Sequence, residues 1–428
     1  MVRLWCKRLL LTLLAAFLLT TLAVTAWIWQ PYDKTAWRIK LPIGSGVQVR
    51  VLPLFMLATS PVGRWWLDHK AFSLHHGQIR LYDADGLRVH CQQCWLIAKS
   101  VSDKPLMLES VELWLKLNGQ QLHGHLVAQS SALPNTPSAM PPTPAFKINF
   151  EGKVTMHALK LNWTLPATPL ARLLAPLASH SSSIAQAHVS GILSASGTLR
   201  WPKQSWSAQP QLEQLQVTGL DLSKVTASTV QYDCPLLDEQ KHPEKVHWLS
   251  YENMGHWLPM AVIIAEDAEF RHHPGYVLTQ MRQLLGKEST DKAVGGSTIT
   301  QQVVKYMFTN GERTWRRKIE ELLYAVQLEH TLNKTQILNL YLNTVDWGPG
   351  LCGAHAAANY YFGLEPAKMN PIQAAWLAGI IRNPHRAWKQ QFIARNPVLS
   401  RAESILHYMP ESARKQPGTL NFRPLPVK

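Results

Sequence analysis

The chain has 428 residues, of which 46% are hydrophobic and 17% charged. This composition excludes an intrinsically disordered chain, which lacks the apolar residues to build a core, and the length is enough for two or more domains. Forty-three Lys and Arg residues against 28 Asp and Glu give a formal net charge of +15. An anionic partner is therefore expected, such as nucleic acid, acidic lipid headgroups or a phosphorylated substrate.

The first predicted element is a membrane-spanning helix over residues 9–29, a mostly apolar run without a charged residue. A run of this length can cross a hydrocarbon core of about 30 Å. Basic residues before it place the short tail in the cytoplasm and the rest of the chain outside. A cleaved signal peptide with its small-residue site at 24–26 is the alternative, but Trp27 and Trp29 favour an uncleaved anchor. The extracytoplasmic location argues against nucleic acid as a partner.

Residues 40–230 are predicted to form strands, because short runs with period-2 alternation are bounded by Gly, Pro, Asn or Asp. The predicted strands are 47–52, 78–81, 111–117, 147–150, 153–162 and 191–201, with a Ser/Pro/Thr-rich loop at 130–144. The strand at 191–201 and its surroundings weakly resemble the AsmA-like proteins of bacterial envelopes. A β module that acts as a spacer or docking unit is favoured over a lipid-handling groove.

The five cysteines are too few for a disulfide scaffold, and their odd number leaves at least one unpaired within the chain. Cys91 and Cys94 form a single CxxC pair, for which a local disulfide is favoured over a metal site in an oxidising compartment. Cys6, Cys234 and Cys352 are expected to be unpaired or buried.

After about Pro235 the apolar spacing becomes helical. Ile319, Leu322, Leu323 and Val326 follow the i, i+3, i+4, i+7 pattern, and further helices are predicted around 337–341, 354–358 and 374–378. A mainly α domain is therefore expected in the carboxy-terminal half.

The first candidate catalytic residue in this half is Glu266. Pro259 can begin a helix through an apolar run that ends at Glu266-Asp267, and Phe270 and His273 follow. A carboxylate that emerges from an apolar segment is a candidate for the raised pKa of a general base.

Two further segments contain polar and charged side chains that suit a binding or catalytic site. Residues 295–302 combine glycines, hydroxyls and paired amides that suit hydrogen bonding to a sugar, and Lys305 follows them. A basic stretch from Arg313 to Lys318 then precedes Glu321, one helical turn beyond Arg317. Each motif alone can be explained by ordinary structure without a function, such as a helix end, a turn or a solvated basic face.

Together and in this order the motifs resemble glycosyltransferase family 51, the peptidoglycan glycosyltransferases, over roughly residues 250–390. The resemblance implies that Glu266 is the general base and Glu321 the second essential carboxylate. The substrate-binding and supporting residues that it implies are Asp267, Phe270, His273, Ser297, Thr298, Gln301, Gln302, Lys305, Arg313, Arg317 and Lys318. Among them, Lys305 and Arg313 correspond to the cations that hold the pyrophosphate of the donor. No metal site is implied and no cofactor is required, although a divalent cation such as Mg²⁺ is compatible with the site.

The family fold implies a lysozyme-like helical lobe and a small lobe that meets the membrane. The small lobe corresponds to an apolar helical stripe of Val277, Leu278, Met281, Leu284 and Leu285, with Arg282 and Lys287 beside it. Spacing alone would favour an ordinary core-facing helix, and the resemblance favours the membrane-facing lobe. Val277, Tyr306 and Gln373 depart from the common family pattern but remove no candidate catalytic group.

These observations predict an α+β multidomain protein with three parts. They are a tail and transmembrane anchor (1–30), a β-rich extracytoplasmic module (31–235) and a glycosyltransferase domain (236–428, core 250–390). The expected enzyme is a single-pass protein of the bacterial inner membrane that faces the periplasm and polymerises lipid II, without transpeptidase activity. Its expected partners are lipid II, the growing glycan strand, the membrane and envelope proteins that bind residues 31–235. The alternatives are a lysozyme-like glycan hydrolase and a non-enzymatic envelope scaffold or lipid-handling protein.

Overall fold

The computed structural model describes residues 38–40, 48–74, 77–96, 105–130, 145–155, 157–201, 205–226, 230, 232, 234, 247–279, 296–309, 314–392 and 399–423. It combines a large antiparallel sheet with many helices, which confirms the predicted α+β class. Within these ranges no helix is both long and apolar enough to cross a bilayer. The predicted anchor at 9–29 lies outside them.

The amino-terminal half is organised around a nine-stranded sheet in which every strand pairs with its neighbours in the chain. Its strands are β3 (Ala71–Leu74), β4 (Gly77–Asp83), β5 (Leu87–Leu96), β6 (Leu106–Asn118), β7 (Gln121–Gln129), β8 (Phe146–Val154), β9 (Leu159–Pro169), β10 (His188–Trp201) and β11 (Ser205–Thr218). A separate two-stranded pair, β1 (Arg38–Lys40) and β2 (Gln48–Arg50), precedes it. In β8, half-buried and exposed residues alternate, so one face of the sheet meets the interior and the other meets solvent.

Two of the predicted strands are wrong in their bounds. The predicted strand 47–52 is β2 only as far as Arg50, after which helix α1 (Val51–Thr59) begins. Pro53 lies in the first turn of α1, where its missing N–H costs no intrahelical hydrogen bond. The predicted strand 153–162 is divided between β8 and β9 by a turn. There the Thr155 backbone N–H donates to the Ala158 carbonyl at 2.8 Å.

Short helices pack against the sheet and contribute side chains to the hydrophobic core that they share with it. After α1 come α2 (Pro61–Leu67), α3 (Leu170–Ala178), α4 (Ser182–Gln186) and α5 (Ser223–Thr226). Leu170, Leu174 and Leu177 lie on one face of α3 and are buried in the same apolar cluster as Val217 of β11. That cluster continues without a break into the helices of the carboxy-terminal half.

The described part from residue 247 onward is helical, as the spacing predicts. After a 3-10 turn (Tyr251–Met254) the helices are α6 (Trp257–Glu266), α7 (Ile299–Met307), α8 (Trp315–Thr331), α9 (Lys334–Thr344), α10 (Ala354–Phe362), α11 (Pro371–Ile380), α12 (Pro384–Phe392), α13 (Ser400–Tyr408) and α14 (Glu411–Lys415). Buried aromatic side chains, among them Tyr361 and Trp376, pack edge to face in its core.

Hydrogen bonds join the sheet module, which is the described part of the chain up to residue 226, to the helices that follow residue 247. The Gln327 amide in α8 donates to the Leu220 carbonyl at 2.8 Å and accepts from the Leu220 N–H at 2.9 Å, which satisfies one backbone unit completely. The Lys224 ammonium in α5 donates to the Met307 carbonyl at the end of α7. The module and the helical part therefore share one hydrophobic core and a set of directed hydrogen bonds.

The disulfides confirm one prediction and correct another. Cys91 and Cys94 are bonded to each other, as favoured over the metal site. The prediction that Cys234 and Cys352 are unpaired is wrong, because they form a disulfide with each other. Both are buried, as the same prediction allowed. Cys6 lies outside the described residues.

Replacement of Gln327 by Ala tests the attachment of the module. Both polar groups of Leu220 lose their partner, and an unsatisfied buried group costs about 1–3 kcal/mol, so the free energy of unfolding should fall by that order. Chemical denaturation of the detergent-solubilised protein measures this loss. Gln390→Ala, at a half-buried glutamine of α12, is the matched control. Equal stability of the Gln327→Ala and Gln390→Ala variants would contradict the attachment.

Candidate active site

Glu266 is the last residue of α6, whose other side chains are largely apolar and buried, as the sequence predicts. Burial of the carboxyl group raises its pKa above the ordinary value, and hydrogen bonding by Gln302 and the charges of Arg401 and Arg382 only partly oppose this. A carboxylate with a raised pKa accepts a proton more readily, which is the property required of a general base.

Two hydrogen bonds hold the Glu266 carboxylate in place. The Gln302 Nε2 atom in α7 donates to Oε2 at 3.2 Å, and the Arg401 Nη2 atom in α13 donates to Oε1 at 3.0 Å. The fully buried Tyr341 donates its hydroxyl hydrogen to Gln302 Oε1 at 3.0 Å, so the Gln302 amide must present its NH₂ group to the carboxylate. Burial raises the pKa of Tyr341, which keeps it a donor.

Asp267, the next residue, points into the interior and is 3% exposed. Its Oδ2 atom accepts from the backbone N–H of Ile299, the first residue of α7, at 2.9 Å. His273 Nε2 lies 2.9 Å from the same oxygen. Since His273 Nδ1 accepts from the Gly275 N–H, the ring hydrogen is on Nε2 and is donated to Asp267. Asp267 therefore ties the end of α6 to the start of α7.

Phe270 and His273 follow Glu266 in the chain and contact Lys334, the first residue of α9. Phe270 is buried, and the Lys334 ammonium lies 4.6 Å from the centre of its ring. The same ammonium donates to the His273 carbonyl at 2.7 Å and to Glu329 Oε1 at 2.8 Å. Glu329 also accepts from the Thr300 hydroxyl. This network fixes the loop that follows Glu266.

Thr298 and Gln301 form the capping box that begins α7, and both side chains are buried. The Thr298 hydroxyl donates to the Gly275 carbonyl at 2.7 Å. Gly275 has φ +85°, and a Cβ atom there would lie 2.8 Å from Cγ of Glu329, so only glycine fits this position. Thr298 and Gln301 thus orient α7, whereas Gln302 in the next position contacts Glu266.

Glu321 is 1% exposed and lies between two cations of its own helix. Its Oε1 and Oε2 atoms accept from Arg317 Nη1 and Lys318 Nζ, both at 2.6 Å. Lys318 also donates to the Ser297 hydroxyl at 2.6 Å, which joins α8 to the start of α7. With both oxygens engaged, Glu321 is placed to hold two cations rather than to accept a proton.

Lys305 adds a third cation to this cluster, three residues beyond Gln302 in α7. Partial burial of the ammonium and the positive charges of Arg317 and Lys318 lower the pKa of Lys305, while Glu321 opposes the effect. Tyr306 packs beside it, with the ammonium 5.4 Å from the ring centre. Three cations around one carboxylate leave an excess of positive charge that suits an anion. Arg313 lies outside the described residues.

Sequence reasoning missed the partners of Glu266 that come from distant helices. Arg401, which donates to Glu266, lies outside the segment that carries the resemblance, and Tyr341, which orients Gln302, lies within it; no local signal in the sequence marks either contact. The departure at Gln373 has a structural explanation, because its side chain completes the capping box of α11 with Asn370. Glutamine serves a capping box as well as glutamate does.

A largely buried carboxylate with a raised pKa and a cluster of cations on one helical scaffold can combine general-base catalysis with the binding of an anion. Residues 235–410 match the family described as Transglycosylase. The biosynthetic peptidoglycan transglycosylase of Alcanivorax borkumensis is 36% identical over 184 residues, which cover 42% of this chain and 73% of that relative. That of Nitrosomonas europaea is 39% identical over 165 residues, or 38% of this chain and 67% of the relative.

The enzyme of the same name from Nitrosomonas eutropha is 42% identical over 139 residues, which are 32% of this chain and 57% of that relative. The chain thus spans between just over half and three quarters of the length of these curated relatives. It belongs to the transglycosylase family, and the match covers its helical part.

Replacement of Asp267 by Asn tests the link between α6 and α7. His273 Nε2 also lies 3.0 Å from Asp267 Oδ1, so an amide whose oxygen accepts from both Ile299 and His273 would place its NH₂ group against the His273 N–H. Loss of a hydrogen bond to a charged group costs about 1.5–3 kcal/mol, and the free energy of unfolding should fall by that amount. Asp85→Asn, at an exposed aspartate of the sheet module, should change it little. Wild-type stability of the Asp267→Asn variant in chemical denaturation would contradict the link.

Proposed function

We propose that this protein polymerises lipid II into peptidoglycan glycan strands and releases undecaprenyl pyrophosphate. The observation that carries the proposal is the arrangement of α7. Gln302 contacts the Glu266 carboxylate, whose side chain is 13% exposed, and Lys305, three residues later, interacts electrostatically with Arg317 and Lys318. Three residues correspond to a rise of about 4.5 Å along a helix, so the residue that contacts the carboxylate and the residue that belongs to the cation cluster lie about one turn apart on α7.

In the proposed reaction, Glu266 removes the proton from the 4-hydroxyl of the acceptor N-acetylglucosamine. That oxygen attacks the anomeric carbon of the donor N-acetylmuramic acid from the face opposite the phosphate. The bond between the anomeric carbon and the phosphate oxygen breaks, and its electron pair leaves with the pyrophosphate, so the configuration inverts. The raised pKa of Glu266, caused by burial, supports this role.

The cation cluster receives the charge that develops on the leaving group. Arg317 and Lys318 are held in place before the substrate arrives, because Glu321 binds both at 2.6 Å. Fixed cations in a partly dry site stabilise a developing phosphate charge more effectively than water does. Burial and, to a smaller extent, repulsion by Arg317 and Lys318 lower the pKa of Lys305, and bound pyrophosphate would relieve that repulsion. No metal is required in this mechanism, although Mg²⁺ is compatible with it.

Two other functions, glycan hydrolysis and a non-enzymatic role, can be distinguished from polymerisation by the site and by one experiment. A lysozyme-like hydrolase would use paired carboxylates but has no need of three cations beside them. A non-enzymatic scaffold or lipid-handling protein has no need of a buried carboxylate with a raised pKa. Incubation of the purified protein with labelled lipid II separates the three, since they yield long glycan, shortened glycan or no new product.

The proposal includes the location of the enzyme and its parts. Residues 1–30 would anchor the chain in the bacterial inner membrane, with the β-rich module of residues 31–235 and the domain of residues 236–428 in the periplasm. A lysozyme-like lobe would carry the catalytic residues, and the module would meet other envelope proteins. The Cys91–Cys94 and Cys234–Cys352 disulfides support an oxidising compartment.

Replacement of Glu266 by Gln preserves the size of the side chain but removes the base. Polymerisation of labelled lipid II should fall by at least about 10²–10⁴-fold, the usual contribution of general-base catalysis. Glu269→Gln changes an exposed glutamate in the next turn of the chain and should leave the rate unaltered. A Glu266→Gln variant that polymerises at the wild-type rate would exclude this residue as the base.

Replacement of Arg401 by Met should change the pH dependence of polymerisation. The Arg401 charge lowers the pKa of Glu266, so its removal raises that pKa further. Because only the deprotonated carboxylate accepts a proton, the acid limb of the rate profile should move to higher pH. Arg401→Lys keeps the charge and should produce a smaller shift. Identical acid limbs in the wild type and the Arg401→Met variant would show that Arg401 does not act on Glu266.

A further inference from the structure

An apolar surface on the sheet module has no partner among the described residues. Helix α2 exposes three large side chains on one face: Val62 is 71% exposed, Trp65 77% and Trp66 65%. Positions three and four apart are neighbours on a helix, so these residues form a continuous patch. Met56 and Leu57, which are also exposed, precede it in α1.

The composition of this patch is that of a membrane–water interface. Tryptophan is enriched at the headgroup level of bilayers, where its ring is partly buried and its N–H meets polar groups. The Lys70 ammonium lies 5.9 Å from the centre of the Trp66 ring, which places a cation at the edge of the patch. Between residues 30 and 74 the chain has six Lys and Arg residues against two Asp residues. This excess of positive charge complements acidic headgroups.

The chain connection keeps this patch close to the predicted anchor. The apolar run ends at Trp29, and an extended chain from there to Arg38 spans at most about 30 Å. Arg38 pairs with Arg50 across the β1–β2 ladder, so the chain returns to the same place just before α1 begins. Helix α2 therefore lies within reach of the bilayer surface that the anchor would cross.

We propose that the patch of Val62, Trp65 and Trp66 docks on the surface of the bilayer, with acidic phospholipid headgroups around it. This contact would give the sheet module a second attachment to the membrane besides the anchor. Since the module shares its core with the catalytic domain, the contact would set the orientation of the domain toward its lipid-linked substrate. The inference rests on the membrane location in the proposed function.

A fluorescent label at the patch tests the inference in the full chain. Val62→Cys carries the label in a Cys6→Ser background, where the other four cysteines are bonded in disulfides. The protein is reconstituted into vesicles of phosphatidylcholine and phosphatidylglycerol that contain a lipid with a nitroxide quencher near the headgroup.

The label should be quenched, and the additional changes Trp65→Ser and Trp66→Ser should abolish the quenching. The matched control changes, Trp95→Ser and Trp206→Ser, remove two exposed tryptophans of the sheet and should preserve it.

An unquenched label, or quenching that survives loss of Trp65 and Trp66, would overturn the inference. A blue-shifted emission in detergent without quenching by lipid would overturn it as well, because another part of the protein or a second copy would then cover the patch. Lipid II polymerisation by the same vesicles is measured in parallel. An active protein with an unquenched label refutes the membrane contact alone, whereas an inactive protein with a quenched label refutes the proposed function alone.

Discussion

The geometry of the catalytic domain depends on one buried carboxylate, Asp267. It accepts the first backbone N–H of α7 and the ring hydrogen of His273, and it follows Glu266 directly in the chain. The backbone leaves the helical conformation at Asp267, with φ −161° and ψ 75°, so consecutive carboxylates can face in different directions. The Asp267 carboxylate accepts its hydrogen bonds from groups inside the protein, and its negative charge is favourable at the start of α7. Glu266 is thereby left with the amide of Gln302 and the guanidinium of Arg401 as its partners.

Helix α7 is held at both ends, and the second attachment comes from the sheet module. At its start, Asp267 and the Thr298 capping box fix the first turn. At its end, Lys224 of the module donates to the Met307 carbonyl, one of the last carbonyls that lack an intrahelical partner. Gln327 joins the module to α8, the helix that carries Glu321 and its two cations. The module therefore braces both helices of the cation cluster, which gives it a structural part in the site whatever else it binds.

The sequence predicted the α+β class, the helical carboxy-terminal half and the position of Glu266 at the end of an apolar helix. It failed where short apolar runs fit a strand and a helix equally well, as at α1, since periodicity cannot separate them over a few residues. It also failed where contacts join distant positions. Arg401 reaches Glu266 only because α13 packs beside α6, and Cys234 meets Cys352 across a separation of 118 residues. Such contacts follow from tertiary packing, which local patterns do not encode.

The electrostatics of the site balance two opposed requirements. A general base needs a raised pKa, whereas a leaving pyrophosphate needs cations nearby, and cations lower the pKa of a neighbouring carboxylate. At Glu266 the effect of burial exceeds that of Arg401 and Arg382, so its pKa remains raised. Arg317 and Lys318 each form an ion pair with Glu321 at 2.6 Å, which balances part of their charge and holds both cations in place. Under the proposed mechanism, the second carboxylate thus has a physical reason to be buried and fully paired, because it fixes the cations of the anion site on the same helical scaffold as the base.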